Sequence, residues 1–288
     1  MNAAVIPDAV RAAAARLATA GSRWWRRRIT ARARDATTAL AGQSLMVLAP
    51  HPDDETFGCG AMITRARAGG QPVTVVVATD GSRSTASATL SPGQLAAIRT
   101  AELRMACGRL GVGAADIVQI GHEDGGLMAR IPDLIVTLGQ LLAERRPDIV
   151  LVPCVQDPHP DHRALHLAGV AAAAGSHPVW AYPVWTWHCA PWFIGTAPSR
   201  QLALFCWAVR QVLWGRWLRV PCGPYLAHKR AAIGQYASQT SNLTAEPTWN
   251  HLPPAFVRSF LAKAEVFLPV RTTRGAAHTT PHVRRPDR

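Results

Sequence analysis

The sequence predicts an α/β protein: a mostly parallel sheet with helices on both faces, followed by a Trp/Arg-rich C-terminal subdomain. Three observations lead there. Short apolar runs alternate with helical stretches from residue 44 to about 184, the order expected of parallel strands joined by crossover helices. Val73-Thr-Val-Val-Val-Ala78 is an unbroken β-branched run, as a strand covered on both sides requires. Leu45-Met-Val-Leu-Ala49 and Asp148-Ile-Val-Leu-Val152 each run into a turn crowded with imidazoles and carboxylates. In an open parallel sheet such turns converge at the carboxyl edge.

The elements follow in order. Residues 8–34 read as an Ala/Arg-rich helix carrying Trp24, Trp25 and Arg26-Arg27-Arg28. No apolar stretch follows these arginines, so a secretory or twin-arginine signal does not fit. Three readings stay open: a solvated helix resting loosely on the body, a basic helix with interfacial tryptophans lying on a membrane surface, or an acid-poor, Arg-rich end of transit-peptide composition. Strand 45–49 leads through His51-Pro-Asp53-Asp54-Glu55 into a helix to about residue 68, which Gly69-Gly70 stops. Strand 73–78, a loop at 81–91, a helix at about 92–110 and a strand at 116–120 come next. A loop at 121–128, helix 132–145 and strand 148–152 precede His159-Pro-Asp161-His162 and an Ala-rich helix. Residues 179–184 make a further strand, and helices over about 224–237 and 254–267 close the body. The organisation is a basic helical extension (1–43), a catalytic body (44–270) containing the Trp/Arg-rich segment (about 187–222), and a basic tail (271–288) of disordered composition.

Charge narrows the function. The chain of 288 residues has a net charge of +13, but residues 1–43 hold +6 of it and 271–288 hold +4. The body is therefore only +3, and within it residues 162–245 contain seven basic side chains and no acid. A high isoelectric point made this way is weak support for nucleic-acid binding, and no zinc finger, RNP pattern or heptad array accompanies it. No specific nucleic acid is expected as partner. A non-catalytic module binding nucleic acid or a membrane surface is the alternative from outside enzymology. Cys59, Cys107, Cys154, Cys189, Cys206 and Cys222 are scattered without a CxxC pair, which suits reduced thiols and a cytoplasmic setting.

The two turns carry the chemistry. A catalytic zinc site needs about three imidazole or carboxylate ligands and one open position. In a turn entering a helix, residues three apart share a side, so His51 and Asp54 can hold one metal with His162 as the third ligand. Asp53 then points elsewhere, free to take a proton from the water that attacks. His159, three residues before His162, would face the substrate and, protonated, stabilise an oxyanion. Asp161 would orient a histidine through its ring N–H. Glu55 is assigned to the helix dipole. His166 imitates a zincin pair with His162, but Arg163 stands where the glutamate would be needed.

Both motifs resemble those of the LmbE-like, or PIG-L, family of zinc-dependent de-N-acetylases. Thr79-Asp80-Gly81, Arg99 with Glu102-Leu103, Leu110-Gly111-Val112, Asp124-Gly125-Gly126, and Lys229-Arg-Ala-Ala-Ile233 with Ser238-Gln239 resemble it too, over about residues 44–267. The resemblance implies a Rossmann-like fold, one Zn2+ on His51, Asp54 and His162, Asp53 as general base, and His159 as oxyanion stabiliser. Arg99 and Asp124 are implied to hold the substrate. The implied reaction removes acetyl from an N-acetylglucosamine-type sugar, releasing acetate and a free amine.

Seven of the ten tryptophans fall between Trp180 and Trp217, interleaved with Arg200, Arg210 and Arg216. Arginine grips phosphate, and tryptophan favours interfaces. A lipid-linked or otherwise hydrophobic N-acetylated sugar, met at the inner face of the membrane by a peripherally bound enzyme, is therefore the expected substrate. The alternative within enzymes is an amidase acting on a thiol conjugate or an acylated antibiotic sugar.

Overall fold

The computed structural model describes residues 8–188 and 198–271. The N-terminal part comprises α1 (Asp8–Arg32), β1 (Arg34–Asp35), β2 (Leu45–Ala49), α2 (Asp54–Ala68), β3 (Val73–Thr79) and α3 (Pro92–Arg109). Then come β4 (Ile117–His122), α4 (Ile131–Arg145), β5 (Ile149–Pro153), α5 (Pro160–Ala172) and β6 (Val179–Tyr182). The chain ends through α6 (Trp185–His188), α7 (Pro198–Trp214), β7 (Leu218–Pro221), α8 (Tyr225–Ile233), α9 (Ala237–Thr240), α10 (Pro254–Phe260) and β8 (Ala264–Val270).

The strands form one sheet in the order β1-β7-β8-β6-β5-β2-β3-β4. Strands β6, β5, β2, β3 and β4 are mutually parallel; β8 runs antiparallel to both β6 and β7. The α/β architecture expected from the alternation is thus observed. Side chains of β2 divide by parity, as a strand's period of two demands. Leu45, Val47 and Ala49 enter the core under α2, α3 and α8, whereas Met46 and Leu48 enter the core under α4 and α5. Strand β2 turns to β3 on one side and pairs with β5 on the other. That is where the strand order reverses, and where open α/β sheets bind ligands.

Two stretches depart from expectation. The predicted helix over 254–267 stops at Phe260, and Ala264–Val270 is a strand inside the sheet. Val266 and Phe267 fill the core there, and Pro269 could not continue a helix without clashing. The Arg-rich helix α1 does not rest loosely. Trp25 is completely buried, its ring centroid 5.9 Å from those of Trp187 and Trp217 and 6.2 Å from that of Trp207. Through β1 and β7 the extension and the Trp/Arg-rich segment join the main sheet. Residues 189–197 of that segment, with Cys189, lie outside the described residues, as does the expected disordered tail from 272 onward. The five described cysteines are free thiols. Among the described residues no helix is long and apolar enough to cross a membrane.

Candidate active site

Both motif turns leave the sheet at the reversal point, one from β2 and one from β5. In the first, Asp53 has φ 139° and ψ −29°, a conformation that an L-residue holds only at a cost of about 1–3 kcal/mol. Arg99 of α3 clamps this strained residue. Its Nη2 donates to Asp53 Oδ2 at 3.0 Å and to the Pro52 carbonyl, and its Nη1 donates to the Gly81 carbonyl at 3.4 Å. Glycine is needed at 81, where φ is +66° and a Cβ would come 2.8 Å from Arg99 Nη1. Beneath the turn lies Glu55, fully buried, accepting from the Asp53 amide at 3.0 Å and from the Tyr236 hydroxyl. The dipole reading of Glu55 is therefore incomplete, because its carboxylate is a buried brace for the turn.

The second turn is held by two buried carboxylates. Asp157 accepts the amides of Val184 and Thr186 at 3.1 and 2.8 Å and the Thr186 hydroxyl at 2.7 Å. Its Oδ2 also lies 3.0 Å from His162 Nδ1. Asp161 accepts the amides of Gly125 and Leu127 at 2.7 and 3.0 Å and stands 3.2 Å from His51 Nε2. His159 caps α5, its Nδ1 accepting from the Asp161 amide at 3.3 Å. That bond assigns the proton of neutral His159 to Nε2.

The turns meet at Asp54. Its Oδ2 lies 3.1 Å from His51 Nδ1 and 3.3 Å from His162 Nε2. With His162 Nδ1 engaged by Asp157, the buried Nε2 has no hydrogen-bond partner and faces a carboxylate oxygen. Two acceptors in that position require a cation between them, either a proton or a metal. Asp124 Oδ1 adds a further carboxylate 3.2 Å from His51 Nε2. Two combinations of ligand atoms lie within 4.8 Å of one another: His51 with His159 and His162, and His51 with Asp124, His159 and Asp161. The donor set of imidazoles and carboxylates fits a divalent ion of the zinc type.

Without a metal the groups divide sharply in proton affinity. Burial pushes Asp53 up to about 8 against the pull of Arg99. For Asp54, burial is overcome by His162 and His51, which hold it far below the ordinary carboxylate range. Burial disfavours charge on His162, yet Asp54 and Asp157 outweigh it and raise the imidazole to about 9. Burial and the adjacent His51 and His162 push His159 down to about 4. In metal-free protein these surroundings disfavour the protonated His159 expected from the sequence and favour a neutral imidazole with its proton on Nε2.

Residues 46–173, from within β2 past the end of α5, match the family model described as PIG-L, GlcNAc-PI de-N-acetylase. That stretch, somewhat under half of the chain, is similar to the PIG-L family. The chain is 30% identical over 135 residues to a diacetylchitobiose deacetylase of Thermococcus kodakarensis, covering 46% of this chain and 49% of that one. It is 31% identical over 168 residues to a 1D-myo-inositol 2-acetamido-2-deoxy-alpha-D-glucopyranoside deacetylase of Saccharopolyspora erythraea, covering 48% and 55%. The chain thus spans about half the length of these curated relatives. Its fold resembles that of N,N'-diacetylchitobiose deacetylase from Pyrococcus horikoshii, with TM-score 0.57 and 20% identity over 79% of this chain and 84% of that one.

The structure brings all eight residues singled out from the sequence to one place, with three changes of emphasis. Asp53 is not free but ion-paired with Arg99. Arg99, expected to hold substrate, is buried and commits its guanidinium to Asp53 and two carbonyls. Asp124 stands against His51 as well as lining the cavity. Sequence reasoning missed Asp157 and Tyr236. Asp157 could have been sought, because a metal-binding imidazole needs a carboxylate or carbonyl on its other nitrogen. Tyr236 is 181 residues from Glu55 and falls between the matched stretches 229–233 and 238–239 without belonging to either.

A cavity of about 410 Å³ opens over these groups. Its lining combines His51, Asp53, Asp54, Asp124 and His159 with the apolar Phe57, Val184, Trp185, Leu252, Pro253 and Phe256 and the polar Arg83, Ser84, Arg99, Gln239, Asn250 and His251.

Proposed function

We propose that this protein is a zinc-dependent hydrolase that removes the N-acetyl group from an N-acetylglucosamine-type amino sugar. The reading rests on one observation above all: His162 Nε2, buried and without a hydrogen-bond partner, faces Asp54 Oδ2 at 3.3 Å, beside His51. Names of the relatives, which are sugar deacetylases, support the reaction class.

His51, Asp54 and His162 would hold the ion. Asp161 suits this role less, since backbone amides already occupy both its oxygens. The ion would supply Lewis-acid polarisation of the acetamide carbonyl and a water of lowered pKa. Asp53, braced by Arg99 and Glu55, takes a proton from the attacking water as the water oxygen bonds the carbonyl carbon; the ion, when bound, would favour the ionised carboxylate this needs, against the burial that raises Asp53 to about 8 in metal-free protein. Nε2–H of His159 donates to the oxygen that becomes negative. As the C–N bond breaks, the proton held by Asp53 passes to the departing nitrogen, leaving acetate and a free amine. Asp157 and Asp161 keep the imidazoles of His162 and His51 in their required orientations. Asp124 meets a sugar hydroxyl at the cavity mouth, while Arg99 acts on the substrate only through Asp53.

The apolar wall of Phe57, Val184, Trp185 and Phe256 supports a hydrophobic or lipid-linked aglycone beyond the sugar. The test is acetate release from N-acetylglucosaminyl lipids, nucleotide sugars and pseudo-disaccharides, using chelator-stripped protein before and after zinc is returned. We expect zinc-dependent release, fastest with the lipid. Equal release from stripped and reloaded protein would refute metal dependence; a preference for the nucleotide sugar would refute the hydrophobic aglycone.

A further inference from the structure

Six of the eleven large apolar side chains exposed among the described residues belong to two helices packed together: Trp24 of α1, and Leu202, Phe205, Val209, Leu213 and Trp214 of α7. On α7, Leu204, Ala208 and Val212 follow a four-residue spacing and are buried against the body. Leu202, Val209 and Leu213, spaced seven and four apart, make a second stripe along the helix that is open to solvent. Trp214 at the end of this stripe is 73% exposed. The two helices meet there, Arg32 Nη2 donating to the Leu213 carbonyl at 3.5 Å. Trp24, Arg28 and Arg32 lie four apart on one side of α1, with the Arg28 guanidinium 5.8 Å from the centroid of the Trp24 ring.

We propose that this face docks on an anionic lipid bilayer, with the α7 stripe and both tryptophans entering the headgroup boundary. Charge selects this occupant. Arg28, Arg32, Arg210 and Arg216 border the apolar stripe and are exposed, and residues 162–245 contain no acid to answer them. A second copy of the chain would therefore set arginine against arginine, which disfavours a self-interface. A basic rim around exposed Trp and Leu instead matches an interfacial helix, whose arginines are drawn to an anionic surface. On the neighbouring side of α1, Arg23, Arg26, Arg27 and Arg219 line a cleft of about 410 Å³; Arg26 is held by the Trp187 and His188 carbonyls and Arg219 by Asp35, so Arg23 and Arg27 are the side chains there that would meet headgroup phosphates. The docking face also communicates with the cavity. Trp185 lines the cavity, and Trp187, two residues on, packs its ring against that of Trp25.

Vesicle co-sedimentation of the full chain tests the proposal, with phosphatidylcholine alone and with added phosphatidylglycerol. We expect binding at least ~10-fold tighter to the anionic vesicles and weakened by salt. Quenching by brominated acyl chains should be seen in the wild type and reduced in Trp214→Phe. Val209→Glu with Leu213→Glu should lose that quenching while hydrolysing a short, water-soluble substrate at the wild-type rate. Equal binding to both vesicle types, binding that survives the double substitution, or a dimer that the double substitution dissolves would each overturn the proposal. Docking does not depend on the catalytic reading: lipid binding without hydrolysis would sink only the latter, and hydrolysis without lipid binding only the former.

Discussion

The turns after β2 and β5 carry similar residues and use them differently. The β5 turn is relaxed, with His159 in an ordinary extended conformation and the carboxylates of Asp157 and Asp161 spent on backbone amides and imidazoles. The β2 turn is strained at Asp53 and crowded with carboxylates that repel one another. What the contrast teaches is a division of labour. One turn fixes imidazoles in place, and the other holds an acid in a costly conformation where it can exchange a proton.

Substitutions can break or sharpen that contrast. The largest effect is expected at the junction: Asp54→Ala should lose bound zinc and activity together, measured by metal analysis and acetate release on the same sample. Asp53→Asn should lower kcat by about 100- to 10,000-fold while zinc stays at one per chain, the signature of lost acid–base catalysis. Zinc lost from that variant would make Asp53 a ligand instead. His159→Ala should cost about 100- to 1,000-fold in kcat, as removal of an oxyanion donor does. On the supporting side, Asp157→Asn should weaken zinc binding by about 10- to 100-fold and leave a folded, partly active protein. Unchanged affinity would show that Asp157 braces only the loop around Thr186.

The smallest effect concerns protons. In metal-free protein, His162 has a folded value of about 9 against 6.5 for the free side chain. The folded state therefore binds this proton more tightly, giving stability that is fully present below pH 6.5 and lost as pH rises towards 9. Denaturation of stripped protein across that window should show a fall, and His162→Gln should flatten it.

Much of this was legible from residue order. Strands β2, β3 and β5 announced themselves because burial on both faces leaves β-branched runs with no polar alternation. The paired turns were visible because metal-binding chemistry demands particular residue types at short spacing. Elsewhere the signal was distributed. In β8, Pro269 and Glu265 interrupt the apolar pattern, and Glu265 is tolerated because Lys229, distant in the chain, meets its carboxylate at 2.7 Å and the amides of Ala61 and Met62 donate to it at 2.8 Å. The link between Arg99 and Asp53 was equally hidden. Each residue was singled out alone, but which cation would meet which anion depended on how α3 crosses the sheet edge. The solvent-facing composition of α1 likewise concealed Trp25, because its arginines dominate the sequence while one indole fixes the helix.

The position of β8 has a consequence for how the molecule is made. Among the described residues the last strand, β8, lies between β6 and β7, and β1 is bonded only to β7. A growing chain can therefore lay down β2 through β6, with both motif turns, while its first strand has nothing to join. Only when residues 264–270 emerge is the gap bridged, and β1 is then tied through β7 and β8 to the strands that carry both turns.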